Sequence, residues 1–217
     1  MNKQMLQRIY TSFILLCILY AMFINLYFLG FILIISSVLA IIEFNRMIKI
    51  IYKNNNYKIF FSNLIFIFFI FNFSSIFLIL SFSLKLKIIL FYIILICIFS
   101  DIGGIIIGKF FKGKKLTKIS PNKTISGSIG SVLFSFLISL NVFIFNIDFI
   151  PIYKLFIFSL IVSVSCQLGD IFFSYLKRKS KMKDTGNILP GHGGVLDRID
   201  GILLGLPSGF ILINFIL

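Results

Sequence analysis

The sequence predicts an all-α, polytopic membrane protein of about seven transmembrane helices, with its N-terminus inside and its C-terminus outside. Three observations predict this. The 217 residues are 59% hydrophobic, and the mean hydropathy is +1.07, which a water-soluble domain of this size would not show. The apolar residues fall into runs close to the ~20 that a helix needs to cross the hydrocarbon core, without the two-residue alternation of a membrane barrel. The 21 basic residues, set against seven acidic ones for a net charge of +14, lie mostly between those runs.

The first span, about 9–25, follows Lys3 and Arg8. This start resembles a signal peptide, but no small-residue cleavage site follows and the apolar stretch continues, so it reads as an uncleaved span. The second span covers about 27–44. The third, 59–82, reads as one long tilted helix or as two short ones broken near Asn72. Spans at about 86–107, 127–147, 152–174 and 199–217 complete the set. No internal repeat is present.

Charge tests this count. With the N-terminus inside, eighteen Lys and Arg fall on inside segments and only Lys85, Lys87 and Lys154 fall outside. Cytoplasmic loops carry such an excess, which favours an odd number of spans. An eighth span would put the two richest loops, 108–126 and 175–198, on opposite faces. The positive charge points to anionic lipid headgroups or phosphorylated substrates rather than nucleic acid, although orientation in the membrane accounts for it equally well. Cys17, Cys97 and Cys166 lie in apolar runs without metal-ligand spacing. They read as small buried residues that form no disulfide.

Chemistry in so apolar a chain has few places to occur. The acidic residues are Glu43, Asp101, Asp148, Asp170, Asp184, Asp197 and Asp200. Asp101 lies inside the fourth span and Asp170 near the inner end of the sixth, where ionisable residues are costly and functional by default. Asp197 and Asp200 share a helix face if the last helix starts near 197. Asp170, Asp197 and Asp200 would then meet at one depth, and three carboxylates suit a hard cation such as Mg²⁺. Asp197 would serve equally as a helix N-cap and Asp200 as a first-turn acid.

Pro190-Gly-His-Gly-Gly194 is a side-chain-poor turn before a helix. Its Gly193 and Gly194 N–H groups could approach phosphate oxygens, with Lys177, Arg178 and Lys183 neutralising them. Such turns also occur without any ligand. In the 108–126 loop, Ser120, Lys123 and Thr124 offer cations and hydroxyls, either for phosphates or for anchoring to anionic lipid. His192, the single histidine, reads as a loop-fixing or phosphate-binding residue. A phosphomonoester nucleophile has a second pKa of about 6 and needs no general base at neutral pH.

The run Ser174 to Asp200 resembles the signature of the phosphatidate cytidylyltransferases. It reads Ser-x-apolar-Lys-Arg, four residues, Lys-Asp-x-Gly, then Leu-Pro-x-His-Gly-Gly-apolar-x-Asp-Arg-apolar-Asp. Gly169-Asp170-Ile-Phe, Ser100-Asp101 with Gly108-Lys109-Phe110, Ile119-Ser-Pro-Asn-Lys-Thr124 and Ile42-Glu43-Phe44 resemble further elements of that family. Ser126 and Ile105 stand where the family has an acidic and an aromatic residue.

The resemblance implies conversion of CTP and phosphatidate into CDP-diacylglycerol and pyrophosphate at the cytoplasmic face of a bacterial inner membrane. Residues 1–84 would be N-terminal membrane helices and 85–217 the catalytic membrane domain. Asp170, Asp197 and Asp200 would bind Mg²⁺, with room for a second cation such as K⁺. Lys177, Arg178, Lys183, Gly193 and Gly194 would hold CTP phosphates. Lys123, Ser120, Thr124, His192, Arg198 and Asp101 would line the site, and a homodimer is the assembly to expect. A transporter or another lipid-phosphate enzyme is the rival reading. The chain lacks the symmetric halves of the one and the spaced Asp, Gly and Ala-Arg residues of a CDP-alcohol phosphotransferase.

Overall fold

The computed structural model describes residues 3–53, 55–117, 120, 123–144, 151–191 and 193–216. The described helices are α1 (Lys3–Ile24), α2 (Leu26–Ile51), α3 (Asn56–Ser81), α4 (Leu84–Phe111), α5 (Ile125–Ile144), α6 (Ile152–Lys179), α7 (Leu196–Ile199) and α8 (Ile202–Ile216). α2, α3, α4 and α6 are long and apolar enough to cross a membrane, and shorter apolar helices run over Ile9–Ile24 and Ile125–Asn141. Large side chains such as Tyr27, Phe68 and Phe71 stand exposed on these helices. Lipid, not water, suits such surfaces. The chain is a polytopic helical membrane protein, and each of the seven predicted spans has its helix.

Several helices outrun their apolar runs. α2 continues through Arg46 and Lys49, α4 reaches Phe111, and α6 reaches Lys179. The expected loops 108–126 and 175–198 therefore begin as helix. Hydropathy marks the lipid-buried stretch, whereas capping decides where a helix stops. α6 stops in a Schellman turn. The Met182 N–H donates to the Lys177 carbonyl at 2.9 Å, and the Lys181 N–H to Arg178 at 3.0 Å. Lys181 takes the left-handed position at φ 56, as such turns require.

α3 is unbroken at Asn72, whose amide donates to the Phe68 carbonyl at 2.8 Å. The last span departs most from expectation. α7 ends at Ile199, a turn occupies Asp200–Gly201, and α8 starts at Ile202. Asp197 and Asp200 thus sit on separate elements and not on one helical face. Cys97 and Cys166 are buried as expected, but Cys17 is exposed, and all three are free thiols. Asp148 and the end of the predicted fifth span lie outside the described residues.

The chain forms two compact units, Met1–Lys87 with Leu176–Ile199, and Ile88–Tyr175 with Asp200–Leu217. In the first, α2 packs against α1, α3 and α7. Phe44 stacks on Phe66 with ring centroids 3.9 Å apart, and the Ser37 and Ser74 hydroxyls bond at 3.0 Å. Asn25 and Asn55 cap α2 and α3 by accepting from first-turn amides, which satisfies N–H groups that lipid cannot.

The second unit is packed through small residues, as membrane helices require when no water drives them together. Gly103 and Gly104 of α4 face Gly127, Gly130 and Ser131 of α5, so a Cβ on Gly103 would lie 2.6 Å from the Gly130 carbonyl oxygen. Gly201, Gly205 and Gly209 repeat every fourth residue. A Cβ on them would meet Cys166 Sγ at 2.5 Å, Cys97 Sγ at 2.6 Å and Ile93 Cδ1 at 2.8 Å. Buried hydroxyls knit the same helices, with Ser100 bonded to Ser163 at 2.8 Å and Tyr92 donating to the Ile138 carbonyl at 2.9 Å.

This packing makes a prediction. Gly130→Val would collide with Ile107 and the Gly103 carbonyl and should destabilise by about 1–3 kcal/mol. Gly30→Ala, with nothing within 4 Å of the new methyl, should not lower the melting temperature. Thermal melts of both variants in detergent check this.

Candidate active site

In the first unit, the described residues between Lys181 and Val195, which join α6 to α7, are irregular. Such a segment must find partners for its backbone groups, and two carboxylates supply them. Glu43 of α2 is 3% exposed. Its Oε1 accepts the Val195 N–H at 3.0 Å. Its Oε2 accepts the Leu196 N–H at 2.9 Å and the Thr185 hydroxyl at 2.7 Å. Asp197 Oδ2 accepts the Thr185 N–H at 2.7 Å and the Gly194 N–H at 3.0 Å, and it lies 3.0 Å from Thr185 Oγ1. Asp197 Oδ1 accepts from Lys177 Nζ at 2.7 Å. Thr185 has a single hydroxyl hydrogen, and it stands between the two acids.

The glycines let the loop close on these carboxylates. Gly193 has φ 85, a left-handed conformation that suits glycine, and a Cβ there would lie 2.8 Å from Asp197 Oδ2. A Cβ on Gly194 would come within 2.5 Å of Glu43 Oε1, and one on Gly186 within 2.8 Å of the same atom. The sequence suggested that the Gly193 and Gly194 amides face phosphate. Instead, the Gly193 N–H donates to the Leu189 carbonyl at 3.1 Å, and the Gly194 N–H donates to Asp197. Arg178 and Lys183 are exposed, and their side chains make no hydrogen bond or ion pair among the described residues. Lys177, expected at phosphate, is paired with Asp197 instead. Arg198 is exposed on α7, and His192 lies outside the described residues.

In the second unit, Lys123 Nζ contacts Asp170 Oδ2 at 2.6 Å. The Asp101 carboxyl neighbours both Asp170 and Lys123, and the Cys166 thiol lies 3.9 Å from its Oδ1. Asp200 occupies the turn that passes Gly169, the residue before Asp170, and its Oδ1 accepts the Gly201 N–H at 3.0 Å. The Lys123 backbone is tied to Leu116 and Ser120. The Leu116 N–H donates to its carbonyl at 2.7 Å, and its own N–H donates to Ser120 at 3.0 Å. Thr124 is accounted for as the cap of α5, because its Oγ1 accepts the Gly127 N–H at 3.0 Å. Ser126 joins this cap, its hydroxyl 3.0 Å from Thr124 Oγ1.

The described residues hold no group of three His, Cys, Asp or Glu side chains arranged about a metal. Asp197 has its oxygens taken by protein donors. Asp101 and Asp170 are neighbours within the second unit. Mg²⁺ is usually held by one or two carboxylates, with substrate phosphates and waters completing the shell. Sequence reasoning gave Glu43 and Thr185 no role at the site. A lone acid inside the 27–44 run was the available signal for Glu43. Thr185 occupies a variable position of the signature and gave none.

Burial raises the Asp197 pKa, but the Lys177 ammonium and the Gly194 and Thr185 amides outweigh it and hold the carboxyl below its ordinary range. The sign follows from linkage. A depressed pKa contributes stability that is complete above the usual value of about 3.9 and fades as pH falls through the lowered one. Proteolytic resistance of the 185–197 segment should therefore fall on acidification below about pH 4. Asp197→Asn should be more readily cleaved at neutral pH and should lose that acid dependence.

A family model described as the cytidylyltransferase family matches residues 2–216. Phosphatidate cytidylyltransferase of Rickettsia felis is 48% identical over 119 residues, covering 52% of this chain and 51% of the relative. The enzyme so named from Helicobacter pylori is 39% identical over 133 residues, covering 58% and 47%. That of Staphylococcus haemolyticus is 42% identical over 118 residues, covering 54% and 45%. Each match spans about half of the relative's length. With the family model aligned along nearly all of its residues, this chain belongs to the cytidylyltransferase family.

Proposed function

We propose that the chain is a phosphatidate cytidylyltransferase, which transfers the cytidylyl group of CTP to phosphatidate. One observation carries the reading above all. Within the 174–200 signature, Asp197 is turned onto the Thr185 and Gly194 amides, whereas the Arg178 and Lys183 side chains stand exposed. The names of the relatives support the substrates.

In this reading a phosphate oxygen of phosphatidate bonds to the α-phosphorus of CTP. The bond from that phosphorus to the bridging oxygen breaks, and its electron pair leaves on pyrophosphate. The phosphomonoester is already mostly dianionic at neutral pH, with a second pKa of about 6, so His192 is not required as a base. The protein's work is positioning and charge compensation. Arg178, Lys183 and Arg198 hold the CTP phosphates. Lys123 compensates charge beside Asp170, with Ser120 nearby in the same turn. Asp170, with Asp101 and the adjacent Asp200, would hold Mg²⁺, which supplies further neutralisation of the phosphate oxygens. K⁺ at a second position and a homodimer belong to the same proposal.

Charge segregation supports placing both basic segments on the cytoplasmic side of a bacterial inner membrane, where CTP is available. The lipid then enters sideways at headgroup level.

Purified protein should convert labelled CTP and phosphatidate into CDP-diacylglycerol and pyrophosphate when Mg²⁺ is added. No product across several lipid compositions would end this assignment. Asp170→Asn should lower kcat by about a hundredfold or more and raise the Mg²⁺ concentration needed for half-maximal rate. An unchanged Mg²⁺ dependence would remove Asp170 from the ion.

A further inference from the structure

We infer that Glu43 is a positioning residue for catalysis. It is a resident anion of the α7 amide end that fixes the 185–197 segment and, with Thr185 and Asp197, sets the positions of Lys183 and Arg198 on either side of it. The inference rests on the cytidylyltransferase reading and adds a residue outside the signature.

One side chain on α2 holds three donors that lie 142 to 153 positions further along the chain. Two of them are the successive amides of Val195 and Leu196, at the start of a helix of four residues. So short a helix cannot sustain itself, and its pitch depends on what its first amides meet. Glu43 meets them. The loop is built around that carboxylate, because at Gly186 and Gly194 any side chain would strike it. Thr185 Oγ1 lies 2.7 Å from Glu43 Oε2 and 3.0 Å from Asp197 Oδ2. A shift of Glu43 therefore moves Thr185, then Asp197, then the Lys177 ammonium held 2.7 Å from Asp197 Oδ1.

Arg46, one turn on from Glu43, lines a cavity of about 360 Å³ with Ile42, Glu43, Gly186, Asn187 and Ile188. The Glu43 oxygens nevertheless point into loop donors. Glu43 acts through the residues it holds.

Glu43→Gln keeps the shape but replaces one acceptor oxygen with an NH₂ that faces an amide N–H. Glu43→Asp shortens the reach by one methylene. Hydrogen exchange and steady-state kinetics on the full chain in lipid nanodiscs, with CTP and phosphatidate as substrates, test the inference. Glu43→Gln should speed exchange in 194–197 and leave α3 peptides unchanged. It should raise the KM for CTP about tenfold while the KM for phosphatidate moves less than about twofold.

Thr185→Ser, which keeps the hydroxyl, should behave as wild type, and Thr185→Val should reproduce the Glu43→Gln defect. This pair answers the same question if Glu43→Gln does not fold. Unchanged exchange at 194–197 together with an unchanged KM for CTP would overturn the inference. So would an equal loss of protection in every helix, which marks a merely structural residue. Wild-type protein that turns over no CTP would instead sink the cytidylyltransferase reading, and the exchange data alone would then decide the positioning role.

Discussion

The buried carboxylate of Glu43 is the constraint on which the polar part of this molecule depends. An irregular segment of about fifteen residues is tolerated at a membrane boundary only if its backbone groups are paired. Here the pairing is concentrated on two acids. Glu43 comes from the N-terminal helices and Asp197 from the segment itself, and Thr185 stands between them. A buried carboxylate is costly by itself, but one that accepts several hydrogen bonds is stabilised by them and fixes its donors in return. The Gly193 and Gly194 turn looked open to phosphate. It is instead wrapped around the protein's own anions, which leaves Arg178 and Lys183 to face outward.

The second unit solves a different problem. It must bring Asp101 and Asp170 together on helices that have little hydrophobic reason to associate within lipid. Glycines at 103, 104, 127 and 130, and at 201, 205 and 209, remove side chains from the helix contacts. Ser100, Ser163, Ser128 and Gln167 supply hydrogen bonds across the gap. Close packing of this kind holds the two acids and Lys123 in register.

Much of the fold was legible because its main signal is length of apolar run. Spans, their order and the charge-rich connections all follow from hydropathy and from the placement of lysines. What hydropathy could not show was where helices end. The Schellman turn at Lys181 carries α6 past its apolar stretch, and the break at Asp200–Gly201 divides what looked like one helix into α7 and α8. At the site, the acids and the signature loop were legible, but partnership was not. Lys177 with Asp197, and Glu43 with Val195 and Leu196, join residues whose pairing depends on three-dimensional closure. Thr185 has no unusual sequence context, and its importance arises only from standing between two carboxylates.

Glu43 and Asp197 form one linked unit through Thr185. A double-mutant cycle on kcat/KM for CTP, built from Glu43→Gln and Thr185→Val, tests it most directly. A linked unit predicts strong non-additivity, with a coupling energy of about 1 kcal/mol or more. Effects that sum to within about 0.3–0.5 kcal/mol would show two independent contacts and contradict the account.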